Sequence, residues 1–78
     1  MNIRVLLSDQ ILEIEITPNT RISSIQEIIA KQSLIPPESQ FLYVLDSHQK
    51  ILLDPKSTAY ECDLSNNSEI IVEEVKVT

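Results

Sequence analysis

Apolar and polar residues alternate from the first position: Met1, Ile3 and Val5 are separated by Asn2 and Arg4, with Leu6 next. A period of two marks a strand with one buried face. Ser8-Asp9-Gln10 interrupts it as a turn, and alternation resumes with Leu12, Ile14 and Ile16 against Glu13 and Glu15. The two runs predict an antiparallel hairpin that buries Ile3, Val5, Leu12, Ile14 and Ile16. From Ile22 the period lengthens. Ile22, Ile25, Ile28 and Ile29 fall on one helical face, with Gln26, Glu27 and Lys31 opposite. Thr20 is the expected N-cap, because its hydroxyl can accept an N–H from the first turn. Pro36 and Pro37 cannot continue the helix, and they bias Ile35 and Pro36 towards extended backbone. Further strands are predicted over Phe41–Leu45, Ile51–Leu53 and Ile70–Val75. Between them lie a loop over Asp46–Lys50, a turn at Asp54-Pro55 and an irregular stretch over Ser57–Asp63, with Leu64 tucked into the core.

Seventy-eight residues make one domain, over 1–78, near the lower limit at which one hydrophobic core suffices. An apolar content of 42% supports such a core, and 23% charged residues argue against wholesale disorder. No segment has the make-up of a signal peptide, and no apolar run approaches the ~20 residues of a membrane span. The single cysteine, Cys62, cannot form an intrachain disulfide, so a reducing compartment, cytoplasmic or nuclear, is expected. A net charge of −6 speaks against nucleic acid or an anionic membrane as partner. Glycine is absent, so turns are expected to place Asp9, Asp46, Asn66 or Asn67 in the left-handed region.

Residues that suggest chemistry are few. Cys62 lies between Glu61 and Asp63, which oppose thiolate formation, and is expected to be a small packed residue. His48 sits in a polar turn and is expected to be solvated. One histidine and one cysteine cannot build a tetrahedral zinc site. Glu13 and Glu15 share a strand face, where they act as solubilising charge. A phosphate-binding loop needs glycines that this chain lacks. No catalytic activity, cofactor or metal is expected.

The order helix, Leu34-Ile35-Pro36-Pro37-Glu38-Ser39-Gln40, apolar strand resembles the ubiquitin-like superfamily. Met1–Leu7 is similar to the first strand of that family and Thr17-Pro18 to its helix entry. Ser57–Leu64 and Ser68–Val72 are similar to its last loop and strand. The likeness spans essentially the whole chain, with one residue deleted in the first hairpin and a short insertion around Ser47–Lys50. It implies an α+β fold of β-grasp type, a mixed sheet wrapped around one helix. It also places Leu34 where the family has a left-handed glycine, so Leu34 is expected to be strained and packed on Ile35, Phe41 or a partner. The conjugating members end in Gly-Gly. This chain has no glycine and ends Glu73-Glu74-Val75-Lys76-Val77-Thr78 without a protruding tail, so it is expected not to be conjugated.

What the resemblance leaves is a binding surface. The family's central patch isoleucine falls on Tyr43, its histidine on Ile71 and its last valine on Glu73, with the first-turn leucine near Leu7 and Ser8. Strand alternation puts Leu6, Ile11, Phe41, Tyr43, Ile71 and Val75 on one outer face, rimmed by Glu13, Glu15 and Glu73. Leu6, Phe41, Tyr43, Ile71 and Glu73 are therefore the candidate protein-binding residues, for a partner carrying basic groups. Three roles are open. One is a regulatory or docking domain of a larger protein, which binds a protein partner or an intramolecular domain. For this role Leu52–Cys62 is similar to the loop in the ubiquitin-like domain of IκB kinases, and Cys62-Asp63-Leu64 to that of parkin. Another is a free-standing, nonconjugated adaptor, monomeric in isolation. The third is a different β-grasp binder, Ras-binding or PB1-like.

Overall fold

The computed structural model describes residues 1–75, Asp46 by its backbone only. Lys76, Val77 and Thr78, on which part of the expectation about the chain's end rests, lie outside the described residues. β1 (Asn2–Leu6) and β2 (Ile11–Glu15) form the first hairpin, followed by α1 (Ile22–Ser33), β3 (Gln40–Asp46), β4 (Gln49–Leu52) and β5 (Glu69–Glu74). The sheet order is β2-β1-β5-β3-β4. β1 and β5 run parallel at its centre, and the remaining pairs are antiparallel. The helix packs on one face of this mixed sheet, which is the β-grasp arrangement expected.

Alternation selects the core. Ile3, Val5, Leu12, Ile14 and Ile16 of the hairpin meet Ile22, Ile25 and Ile29 of the helix, with Leu42, Leu53, Ala59, Leu64 and Ile70. The amino group of Met1 donates to Ile16 O at 2.7 Å, and Ile16 N donates back to Met1 O at 2.8 Å.

The helix begins differently from its expected cap. Arg21, not Thr20, is the N-cap residue, and its side chain makes no capping hydrogen bond. The Thr20 hydroxyl instead accepts Thr17 N at 3.0 Å. The exposed N–H groups of a first turn still need acceptors. Ile22 N donates to Ser57 O at 2.9 Å and Ser23 N to Pro55 O at 3.0 Å. The long loop after β4 thus caps the helix from a distance, and Arg21 Nη1 fastens the same loop through Lys56 O at 2.6 Å.

Gln26, expected on the solvated face, is 7% exposed. It is held inside by a reciprocal contact with Gln40. Gln40 Nε2 donates to Gln26 O at 3.0 Å and to Ile35 O at 2.8 Å, while Gln26 Nε2 reaches Gln40 O at 3.4 Å. Gln40 therefore ties the helix to the proline turn.

The turn chemistry also departs from expectation. Positive φ occurs at Leu34, Ser47, His48, Asp63 and Asn67, so of the four residues proposed for this conformation only Asn67 adopts it. Ser47 and His48, at φ 50° and 72°, form a two-residue connection between β3 and β4. Two successive positive φ values match the twist of the flanking strands. The segment read as a loop over Asp46–Lys50 is thus a tight turn, with Gln49 and Lys50 already in β4.

Leu34 is left-handed, at φ 64° and ψ 15°, as expected, but its side chain is 90% exposed. Among the described residues no packing compensates it. Ser33 helps close the helix end, its hydroxyl donating to Ile29 O at 2.6 Å and accepting Ile35 N at 3.4 Å. The left-handed conformation costs leucine about 1–2 kcal/mol, and glycine loses roughly 0.4–1 kcal/mol more chain entropy on folding. Leu34→Gly should therefore be as stable as the parent or up to about 1 kcal/mol more so, as read by urea unfolding. A loss above about 2 kcal/mol would show that the leucine side chain makes stabilising contacts after all.

Candidate protein-interaction site

Register places the outward residues of all five strands in one line. Ile11 of β2 faces Leu6 of β1, Leu6 pairs with Ile71 of β5, Ile71 with Tyr43 of β3, and Tyr43 with Leu52 of β4. Strands lie about 4.8 Å apart, so this apolar row runs roughly 19 Å from one sheet edge to the other. It is on the face away from α1, because the alternating partners Val5, Ile70 and Leu42 are in the core. Phe41 lies beside the row on β3, opposite Glu73, and Val75 follows β5 as another exposed apolar residue.

All five sequence-derived candidates, Leu6, Phe41, Tyr43, Ile71 and Glu73, share this face. Leu52, 55% exposed, and Leu45, also exposed on β3, belong to it as well and were not foreseen. The signal for Leu52 lay in the β3–β4 pairing, which the Ser47-His48 turn sets, whereas Leu45 follows Tyr43 at the strand period of two and was signalled by alternation alone. A second line of outward residues runs Glu13, Arg4, Glu69 across β2, β1 and β5, and Glu15 lies beyond it on β2.

Glu73 is already engaged. Lys50 reaches from β4 across β3 to form an ion pair with it, and its Nζ lies 5.0 Å from the centroid of the Tyr43 ring. A cation over an aromatic face is attracted by the ring quadrupole. The Lys50 ammonium is pushed above its ordinary value, first by the hydrogen bond to Glu73. The apolar row thus carries an ion pair over its aromatic residue on β3, and a basic partner group must compete with Lys50 for Glu73.

Among the described residues no three His, Cys, Asp or Glu side chains converge in a manner suited to a metal. A groove of about 640 Å³ lies between the β3–β4 hairpin and the following loop, lined in part by Asp54, Glu61, Cys62, Asp63 and Glu69. Half-buried Cys62 has its thiol pushed up by burial, then by Glu61, Asp54 and Asp63, so thiolate is disfavoured there. His48 is exposed in the hairpin turn. No helix among the described residues is long and apolar enough to cross a membrane.

No protein-family profile matches the chain, and no curated protein matches it in sequence. Likeness is found among solved structures. A chain in the crystal structure of ATBAG1 in complex with HSP70 matches over 99% of this chain with a TM-score of 0.82 and 16% sequence identity. The match spans 41% of that chain. At this identity it establishes the ubiquitin-like β-grasp fold and nothing finer. As 432 solved chains match, the fold alone selects no role.

Proposed function

We propose that this chain is a non-catalytic interaction domain, a docking or regulatory module of a larger protein. It binds a protein partner, or another domain of its parent, through the outer face of its sheet. The observation that carries this is the in-register apolar row Ile11, Leu6, Ile71, Tyr43 and Leu52. Isolated exposed apolar residues are ordinary, whereas a contiguous row with an aromatic centre and a charged rim has the anatomy of an interface core. Leu6, Phe41, Tyr43 and Ile71 supply apolar contact. Glu73 supplies charge, favouring a partner whose own apolar patch is flanked by lysine or arginine.

Tyr43 is the expected anchor. Tyr43→Ala and Ile71→Ala baits, each shown folded by NMR, are compared with the parent for affinity towards every partner recovered. Loss of a central anchor should weaken binding by about 1–2 kcal/mol or more. Parental affinity in both variants for all partners would eliminate this face as the docking site.

A further inference from the structure

The row above uses side chains on a sheet face; the edge of the same sheet offers backbone. β2 is an edge strand. Met1 and Ile16 exchange both hydrogen bonds, and at the other end of the hairpin Leu7 N donates to Gln10 O at 2.9 Å. In an antiparallel pair hydrogen-bonded and non-hydrogen-bonded positions alternate. With the observed register, Ile14 and Leu12 therefore bond to β1, while the N–H and C=O groups of Ile11, Glu13 and Glu15 point away from the sheet. All three residues are exposed, and none takes part in the loop, turn or cap backbone bonds among the described residues. The opposite edge, β4, is only four residues long.

Charge decides what this edge accepts. A second copy pairing antiparallel about Glu13 would set Glu13 directly against Glu13, and like charges directly opposite destabilise a strand pair. An incoming strand with lysine or arginine at alternate positions meets Glu13 and Glu15 with opposite charge instead. We propose that the β2 edge is a second docking site, which captures an extended basic segment as a sixth strand. The segment places two basic residues opposite Glu15 and Glu13, and an apolar one opposite Ile11. Backbone bonds supply attachment and the two glutamates select sign. Ile11 belongs to both the outer row and this edge, but Tyr43 and Ile71 are not required here, so the two sites are tested separately.

The probe is the blocked peptide acetyl-Thr-Lys-Thr-Lys-Thr-Val-Thr-amide, which read antiparallel has that order. Amide exchange and NMR shifts are followed in the intact chain at peptide concentrations up to about 5 mM, where even weak association populates the complex. Exchange at the Ile11, Glu13 and Glu15 amides should slow about tenfold as they become hydrogen-bonded. The peptide with both lysines replaced by glutamate should have no effect, and N-methylation of the lysine amides should abolish protection. Glu13→Lys combined with Glu15→Lys should reverse the preference towards the acidic peptide. Slowed exchange that survives N-methylation, shifts confined to Tyr43 and Ile71, or no change at the edge amides would each overturn strand capture. Those outcomes leave the Tyr43 affinity test untouched.

Discussion

Replacing Ile25 with alanine is expected to destabilise the domain by about 2–5 kcal/mol, the range for truncating a buried aliphatic side chain. Ile25 is fully buried on α1 and belongs to the cluster that joins this helix to the sheet. At 0.05–0.15 kcal/mol per residue, a chain of 78 residues holds about 4–12 kcal/mol in all. The substitution therefore removes a large share of what keeps the domain folded. In urea the midpoint should fall sharply while the slope stays near that of the parent, since nearly the same surface is exposed on unfolding. Tyr43→Ala should behave oppositely, with a small change in midpoint and a large one in partner affinity. A loss of stability for Ile25→Ala below about 1 kcal/mol would mean that the site relaxes to fill the void and the core is looser than its burial indicates.

The contrast between Ile25 and Tyr43 is also what the sequence made readable. Period-two alternation separates Ile3 and Val5 from Leu6, and Leu42 from Phe41 and Tyr43, because successive strand side chains point to opposite faces. Core and outer face were therefore legible together. Sheet order was not, since nothing in the periodicity of β1 and β5 says that they pair in parallel; that came from the resemblance. Two of the other misses share a cause, namely partners distant in the chain. Thr20 has the right side chain for a cap, yet carbonyls of Pro55 and Ser57 do that work from more than thirty positions away. Gln26 has the composition of a solvated position, but Gln40 holds it inside. Ser47-His48 carries no glycine or asparagine to announce a two-residue hairpin, so Leu52 and the Lys50–Glu73 pair stayed hidden within the site. Local rules fail where a tertiary contact supplies what the local sequence lacks.

Gln40→Glu puts one of these contacts to a test with a defined sign. Gln40 is 4% exposed, and its amide nitrogen serves two carbonyls, Gln26 O at 3.0 Å and Ile35 O at 2.8 Å. Among the described residues its Oε1 is buried without a hydrogen-bond partner, so a glutamate oxygen in that place finds no donor waiting. Near pH 7 the substitution sets an anion beside two carbonyl oxygens with no nearby cation among its hydrogen-bond partners, at a cost of about 3–5 kcal/mol. Protonation removes the charge and restores one O–H donor, so folding favours the neutral acid. The folded-state pKa is raised above the unfolded value of about 4.3. Relative to the parent, the stability of the variant is therefore fullest below about pH 4.3 and falls as pH rises towards the raised folded-state value. Urea midpoints of parent and variant, measured together at about pH 4 and pH 7, should differ little at the lower pH and widely at the higher. A gap independent of pH would show that the new carboxylate reaches water or a cation, in which case Gln40 is not the sealed link between α1 and the proline turn.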